Sequence, residues 1–215
     1  MAVTAKICGV NDAMAMEAAV KGGASHVGLV FYQPSPRAVT TEKAKDLTLL
    51  VPSSICKVGL FVDADDALID RALESASLDM LQLHGKEAPE RVAELKARTG
   101  CLVMKAISVE IKSDLALAGH YDGIADWLLF DAKPPIDMVS PMPGGNARRF
   151  NWQLLSGRDW AIPWMLAGGI NNSNVTEAVA LTDASVVDCS SGVENRPGHK
   201  NIKKIRTFLS TVAGL

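Results

Sequence analysis

The sequence predicts an α/β protein, a single-domain (β/α)8 barrel spanning residues 1–215, on three observations. Eight short apolar runs recur along the chain, rich in Val, Ile and Leu and mostly continuous, as strands covered on both faces require. Amphipathic stretches with helix start and stop signals lie between them, giving β-then-α units of about 26 residues that use the whole chain. Such alternation implies parallel strands joined by right-handed crossovers. Eight units match a small barrel, whereas a doubly wound open sheet, the structural alternative, more often stops at about five or six strands.

The strands are expected at Ala5–Cys8, His26–Phe31, Cys56–Phe61, Met80–Leu83, Leu102–Ala106, Trp127–Phe130, Trp164–Ala167 and Ser185–Asp188. Asn11 is placed to cap the first helix and Gly22-Gly23 to end it. Thr41-Glu42 opens the second, and Asp65-Asp66 puts acid at the N-terminus of the third, where the helix dipole favours it. The last helix is the clearest. Asn201 precedes Ile202, Ile205, Phe208, Leu209 and Val212 at helical spacing, with Lys203, Lys204 and Arg206 on the other face. Lys133 to Arg149 is long for a connection in a compact domain and carries Pro134, Pro135, Pro141, Pro143 and Gly144-Gly145, which points to a functional loop after strand six.

Composition narrows the function. The chain is 48% hydrophobic and 21% charged with a net charge of −2, which excludes disorder and a disulfide-stapled mini-protein. A near-neutral chain offers no long-range field for nucleic acid or an anionic membrane, so an anionic ligand must be held by local groups. No stretch approaches the roughly 18 apolar residues of a membrane span. Lys6 interrupts the start before a secretory apolar run could build, so a cytoplasmic protein without a signal peptide is expected. The four cysteines, at 8, 56, 101 and 189, form no CxxC pair, and reduced thiols are expected. Cys56 and Cys101, at strand starts, read as buried filler. The four histidines, at 26, 84, 120 and 199, are too scattered to suggest zinc, and no metal is expected.

In such a barrel the active site sits at the C-terminal ends of the strands. Those ends read Cys8, Tyr32 to Arg37, Asp63, His84, Asp131, Gly168-Gly169 and Ser190-Ser191-Gly192. Side chains alternate along a strand, so Cys8 shares a face with Lys6, and Asp131 with Leu129. An ammonium beside a thiol favours thiolate; the bland alternative makes Cys8 core filler and Lys6 a solvated end residue. Arg37 follows the stiff segment Gln33-Pro34-Ser35-Pro36, and a guanidinium fixed in this way suits bidentate binding of a carboxylate, or a plain surface salt bridge. Gly168-Gly169 and Ser191-Gly192 follow the last two strands, where backbone N–H groups and a following helix N-terminus can cradle a phosphate. His84 closes Gln82-Leu83-His84-Gly85 and reads first as a hydrogen-bonded structural residue, with a role at substrate as the alternative. Asp131 ends Trp127-Leu128-Leu129-Phe130, and a carboxyl group buried beside such residues suits proton donation; a helix cap or ion pair is the structural alternative.

Taken together, these segments resemble the phosphoribosylanthranilate isomerase family of tryptophan biosynthesis. The resemblance rests on Lys6-Ile7-Cys8-Gly9, Val30-Phe31-Tyr32-Gln33-Pro34-Ser35-Pro36-Arg37, Val58-Gly59-Leu60-Phe61-Val62 and Leu81-Gln82-Leu83-His84-Gly85. It continues through Leu128-Leu129-Phe130-Asp131, Leu166-Ala167-Gly168-Gly169-Ile170 and Asp188-Cys189-Ser190-Ser191-Gly192-Val193-Glu194, in order across essentially the entire chain. The resemblance implies an intramolecular aldose–ketose isomerase that performs an Amadori rearrangement with no cofactor. Cys8 is the implied general base, Asp131 the general acid and Arg37 the ligand of the anthranilate carboxylate. The implied partner is a small phosphoribosyl substrate held at Gly168, Gly169, Ser191 and Gly192, with neither nucleic acid nor membrane, and the chain a monomer or homodimer. One region departs from the family. Its loop after strand six usually reads P-G-G-T-G, and here Pro143-Gly144-Gly145-Asn146-Ala147-Arg148 lacks the threonine hydroxyl and the later glycine. Ala132 also stands where a small hydroxyl residue is common. The alternatives are another phosphosugar barrel of epimerase type, which would more naturally need metal-binding His and Asp at several strand ends, or a phosphate-binding module that has lost catalysis.

Overall fold

A computed structural model describes residues 2–134, 144–145 and 148–215. The eight expected strands are present: β1 (Thr4–Cys8), β2 (His26–Val30), β3 (Cys56–Phe61), β4 (Met80–Leu83), β5 (Leu102–Val109), β6 (Trp127–Ala132), β7 (Trp164–Leu166) and β8 (Val186–Cys189). Each is parallel to its neighbours, and β8 returns to β1 to close the barrel. Closure has a local consequence. The β1–β8 register sets Lys6 opposite Asp188, and the β1–β2 register sets Cys8 opposite Gly28.

Among the described residues six α-helices cover the strands: α1 (Ala13–Lys21), α2 (Thr41–Thr48), α3 (Asp66–Ser75), α4 (Pro89–Thr99), α5 (Val175–Thr182) and α6 (Ile202–Ala213). Thr40, Asp65 and Asn201 cap the N-termini of α2, α3 and α6 through side-chain oxygens that accept backbone N–H bonds. The cap of α1 is Asp12, not Asn11: Asp12 Oδ1 accepts from Ala15 N at 2.8 Å, while Asn11 Nδ2 donates to Gly198 O at 3.0 Å. Units five and six depart from the α-helical expectation and carry 3₁₀ segments, Lys112–Tyr121 and Trp152–Leu155. In the first, the buried residues Leu115, Ala118 and Tyr121 recur every third position, the spacing that aligns on a 3₁₀ helix. The expected loop 133–149 falls largely outside the described residues, as do Pro143, Asn146 and Ala147 of its departing motif.

Two apolar layers result. The larger lies between strands and helices; on α6 it takes Ile205, Phe208, Leu209 and Val212, each stabilising by about 1.5–3 kcal/mol when removed from water. The smaller fills the barrel interior with Val58, Met80, Met104, Ala106, Leu129, Met165, Ala167 and Val186, joined by half-buried Cys56 and Trp127. Cys101 is also half-buried rather than fully enclosed. Leu129 belongs to this inner layer, so Asp131, two residues on, faces inward above it. After β8 the sequence reading missed a hairpin of β9 (Glu194–Arg196) and β10 (His199–Lys200), whose register sets Lys200 opposite Glu194 at the barrel mouth.

Candidate active site

Inward-facing alternation brings Cys8 and Asp131, the end of β4 brings His84, and the turn after β2 brings Arg37 to one cavity at the C-terminal mouth. Val30, Tyr32, Ser35, Leu60 and Val62 supply one wall, and Gln82, Asp188 and Ser190 rise from the interior beneath it. Gly144 packs over Asp131. A Cβ added there would stand 2.7 Å from Asp131 Oδ2 and 2.8 Å from His84 Cε1, so a side chain would not fit.

Lys6 is fully buried rather than a solvated end residue. Its Nζ donates to Asp188 Oδ1 at 3.0 Å and to Gln82 Oε1 at 2.7 Å. Burial alone would lower its pKa, but the Asp188 carboxylate and Cys8 outweigh burial, so Lys6 is raised and stays charged. Gly28 makes room beside it, since a Cβ there would lie 2.9 Å from Cys8 Sγ and 3.3 Å from Lys6 Cε. The expected consequence for Cys8 is corrected. Burial pushes its thiol up and Asp188 pushes the same way; Lys6 and Lys200 pull it down without prevailing, so the unliganded site favours the thiol.

Asp131 is buried, with Oδ1 accepting from Ala132 N at 2.8 Å and Oδ2 3.3 Å from His84 Nε2. That last approach lies off hydrogen-bond alignment, and among the described residues Nε2 has no hydrogen-bond partner. His84 Nδ1 is 2.9 Å from Gln82 Nε2.

Arg37 sits on a tight turn in which Ser35 N donates to Tyr32 O and Arg37 N to Ser35 Oγ, as the proline-flanked segment predicts. Its fork, however, is already engaged. Nε and Nη2 donate to the two Glu194 carboxylate oxygens at 2.8 and 2.9 Å, and Nη2 also donates to Gly145 O at 3.1 Å. Among the described residues, the edge left for a ligand carboxylate is the one carrying Nη1, beside Gly145, whose carbonyl occupies the adjoining N–H. Glu194 also accepts from Lys200 Nζ at 2.8 Å, and these two cations hold its pKa below the usual carboxylate range against the opposing effect of burial. Burial lowers the Lys200 pKa despite Glu194.

A second cavity adjoins the first and is lined by Gly168, Gly169, Ile170, Ser190 and Ser191, with Arg148 at its edge. Gly168 and Gly169 adopt φ of +81° and +71°, a backbone open only to residues without a Cβ penalty. Gly192 does not line this cavity. It packs on the Ile170 carbonyl, where a Cβ would collide, so its role is to seat one turn against the other. The flanking helix also differs from expectation: β8 runs into a 3₁₀ turn, Ser191–Val193, and α5 starts only at Val175. Asp63 stands apart from both cavities, with φ +47° and Oδ1 accepting from Lys86 N at 2.6 Å.

Sequence reasoning missed Gln82, Asp188, Glu194 and Lys200 as parts of the site. Counting back two residues from His84 and from Ser190 would have found the first two.

Residues 5–211 match the family model described as N-(5'phosphoribosyl)anthranilate (PRA) isomerase. The chain is 53% identical over 215 residues to the N-(5'-phosphoribosyl)anthranilate isomerase of Rhodospirillum centenum, covering 100% of both chains. It is 51% identical over 214 residues to that of Paramagnetospirillum magneticum, covering 100% of this chain and 99% of the relative. Among solved structures it resembles the phosphoribosyl anthranilate isomerase of Thermotoga maritima, with a TM-score of 0.88 and 32% identity over 99% of this chain and 100% of the other. A structure of such an isomerase in complex with reduced 1-(o-carboxyphenylamino)-1-deoxyribulose 5-phosphate superposes with a TM-score of 0.85 at 30% identity, over 99% and 100% of the two chains.

Proposed function

Because the chain belongs to the N-(5'-phosphoribosyl)anthranilate isomerase family, it is an isomerase of tryptophan biosynthesis, and we propose that Cys8 and Asp131 are its base and acid. The reaction converts N-(5-phosphoribosyl)anthranilate to 1-(2-carboxyphenylamino)-1-deoxyribulose 5-phosphate. Asp131 donates its carboxyl proton to the furanose ring oxygen while the bond from that oxygen to C1 breaks, and the nitrogen lone pair forms the Schiff-base cation. As that cation forms, Cys8 releases its thiol proton to solvent; the thiolate then takes the C2 proton, the C2–H electron pair forms the C1=C2 bond of an enolamine, and the C1=N π pair returns to nitrogen. Loss of the enol proton and protonation at C1 give the ketone.

The observation that carries this reading is the meeting of Cys8, from β1, and Asp131, from β6, across one cavity with a guanidinium at its rim and a glycine-lined cavity beside it. Burial raises the resting thiol, and the Schiff-base cation formed beside it would favour its ionisation, as do Lys6 and Lys200. The substrate is thereby fixed at two ends. Its aromatic carboxylate meets the free edge of Arg37 and displaces the Gly145 carbonyl from Nη2; its phosphate meets the N–H groups around Gly168, Gly169 and Ser191, with Arg148 adding a cation. We place the protein in the cytoplasm.

Turnover by the purified chain tests the reading directly. Fluorescence of N-(5-phosphoribosyl)anthranilate should fall as a product of equal mass forms. A chain that leaves this substrate unchanged while still binding it would revive the lapsed-module alternative.

A further inference from the structure

We infer that Gln82 locks His84 as the neutral Nε2–H tautomer beside Asp131 Oδ2, making His84 the positioning residue of the acid and Lys6 the anchor of both acid and base. The inference rests on the acid–base reading above, and it follows from donor and acceptor counts along one buried chain.

Lys6 Nζ can only donate, so the Gln82 oxygen must face it, at 2.7 Å. The Gln82 amide nitrogen therefore faces His84, and an amide –NH2 can only donate. His84 Nδ1, 2.9 Å away, must then accept and carry no proton. A neutral imidazole with a bare Nδ1 carries its proton on Nε2, and Nε2 lies 3.3 Å from Asp131 Oδ2. The amide orientation is not free to reverse, because Asp188 at 3.0 Å keeps Lys6 a cation in this buried position.

Gln82 is fully buried and His84 is 7% exposed, so water offers neither an easy alternative partner. Among the described residues His84 Nε2 has no partner other than the approach to Asp131, a costly state for a buried N–H unless a charge arrives opposite it. The reaction supplies that charge. When Asp131 gives its proton to the ring oxygen, both its oxygens become anionic acceptors, Ala132 N–H already serving Oδ1 and His84 Nε2–H now serving Oδ2. Resting hydrogen bonds at catalytic groups are often long and tighten only as charge develops. Lys6 meanwhile borders Cys8 over Gly28, so one cation orients the relay toward the acid and lowers the cost of the thiolate.

The tautomer can be read on the free, full-length, ¹⁵N-histidine-labelled protein by long-range proton–nitrogen correlation, with His84 assigned by loss of its signals in His84→Gln. At neutral pH the expected spectrum has a bare Nδ1 and a protonated Nε2. Gln82→Glu, which presents only acceptors, should move a proton onto Nδ1. Observation of Nδ1–H in the wild-type protein would overturn the inference.

Kinetics give the second arm. His84→Gln can place an amide N–H near the lost Nε2–H, and its kcat should stay within about 3-fold of wild type, whereas His84→Ala should lose on the order of 10–100-fold in kcat, the effect of one hydrogen bond to a charge. KM should move by only a few-fold in both, because the carboxylate and phosphate anchors are untouched. Equal losses in the two variants, or a loss confined to KM, would overturn the positioning role. Failure of the underlying acid assignment shows separately, as near-normal turnover by Asp131→Asn, and leaves the tautomer spectrum readable.

Discussion

The barrel interior carries the same two residue types at both ends. Cys8 and His84 face the mouth, while Cys56 and His26 face the opposite end, where His26 meets Trp127 edge-on with ring centroids 5.8 Å apart. Both cysteines have thiols pushed up by burial, so depth by itself does not distinguish them. Nor does the sign of the nearby charges: Lys6 and Lys200 pull the Cys8 thiol down while Asp188 pushes it up, and Lys6 and Lys57 pull the Cys56 thiol down while Asp79 pushes it up, leaving Cys56 at about 11. Access does, because Cys8 lines the mouth cavity and Cys56 does not. His84 is wired through Gln82 to Lys6 and approaches a carboxylate; His26 contacts Ser25 Oγ at 2.9 Å and is held neutral, with its pKa lowered to about 4 by burial and then by Lys6. A residue type acquires a function from the groups it is wired to and from a route to the ligand.

The largest effect expected from this contrast is at the mouth. Cys8→Ser keeps the shape and removes the only feasible source of an anion on β1, so kcat should fall by roughly 10²–10⁴-fold with little change in KM. Asp131→Asn should do the same by removing the transferable proton. Steady-state kinetics on folded variants decide it: a Cys8→Ser enzyme within a few-fold of wild type would make Cys8 core filler and turn attention to His84.

Arg37 comes next, and the structure sharpens what its replacement must do. Lysine keeps the charge but cannot hold both Glu194 oxygens and still present an N–H edge to a carboxylate. Arg37→Lys should therefore lower kcat/KM by about 100-fold, chiefly through KM, the equivalent of about 2.7 kcal/mol. Glu194→Gln should show a weaker form of the same defect, because it loosens the guanidinium without removing it. A lysine variant with unaltered KM would exclude the proposed carboxylate contact.

Legibility in the sequence follows the range of the interaction. The eight strands were readable because two-sided burial leaves continuous apolar runs; Cys8, His84 and Asp131 were readable as polar residues ending those runs, and Arg37 from the proline-flanked segment before it. The partner of Arg37 lies 157 residues away, on a hairpin with no strong local signal, so the sequence showed the fork without its occupant. Lys6 beside Cys8 pointed to a thiolate, but depth reversed the balance, and depth depends on the closure of β8 onto β1. Asn11 and Asp12 are both capable caps, and only backbone geometry selects between them.

At the opposite end the expected effect is on stability and has a definite sign. His26 has a folded pKa of about 4 against 6.5 for an unperturbed histidine, so it binds fewer protons folded than unfolded. Its contribution is therefore fully present above about pH 6.5 and is lost as the pH falls from there toward about 4. Between pH 7 and pH 5 the wild-type protein should lose about 2 kcal/mol on this account, and His26→Gln should lack that part of the slope. Urea unfolding of both proteins at the two pH values measures it; parallel slopes would show that His26 is hydrated in the folded state.

The smallest effect comes from repeating the largest-effect substitution at the other end. Cys56→Ser exchanges sulfur for oxygen on the same inner surface, within the electrostatic reach of the same Lys6. Cys56 does not line the mouth cavity, and no proton passes to it in the proposed chemistry. Turnover should remain within about 2-fold of wild type, and the half-buried hydroxyl should cost no more than about 1 kcal/mol of stability, the size of one ordinary hydrogen-bond imbalance. The variant is thus an internal control for Cys8→Ser. If both serine variants lost turnover to the same degree, the loss at Cys8 would reflect disturbance of the barrel interior through Lys6, and the base would have to be sought elsewhere.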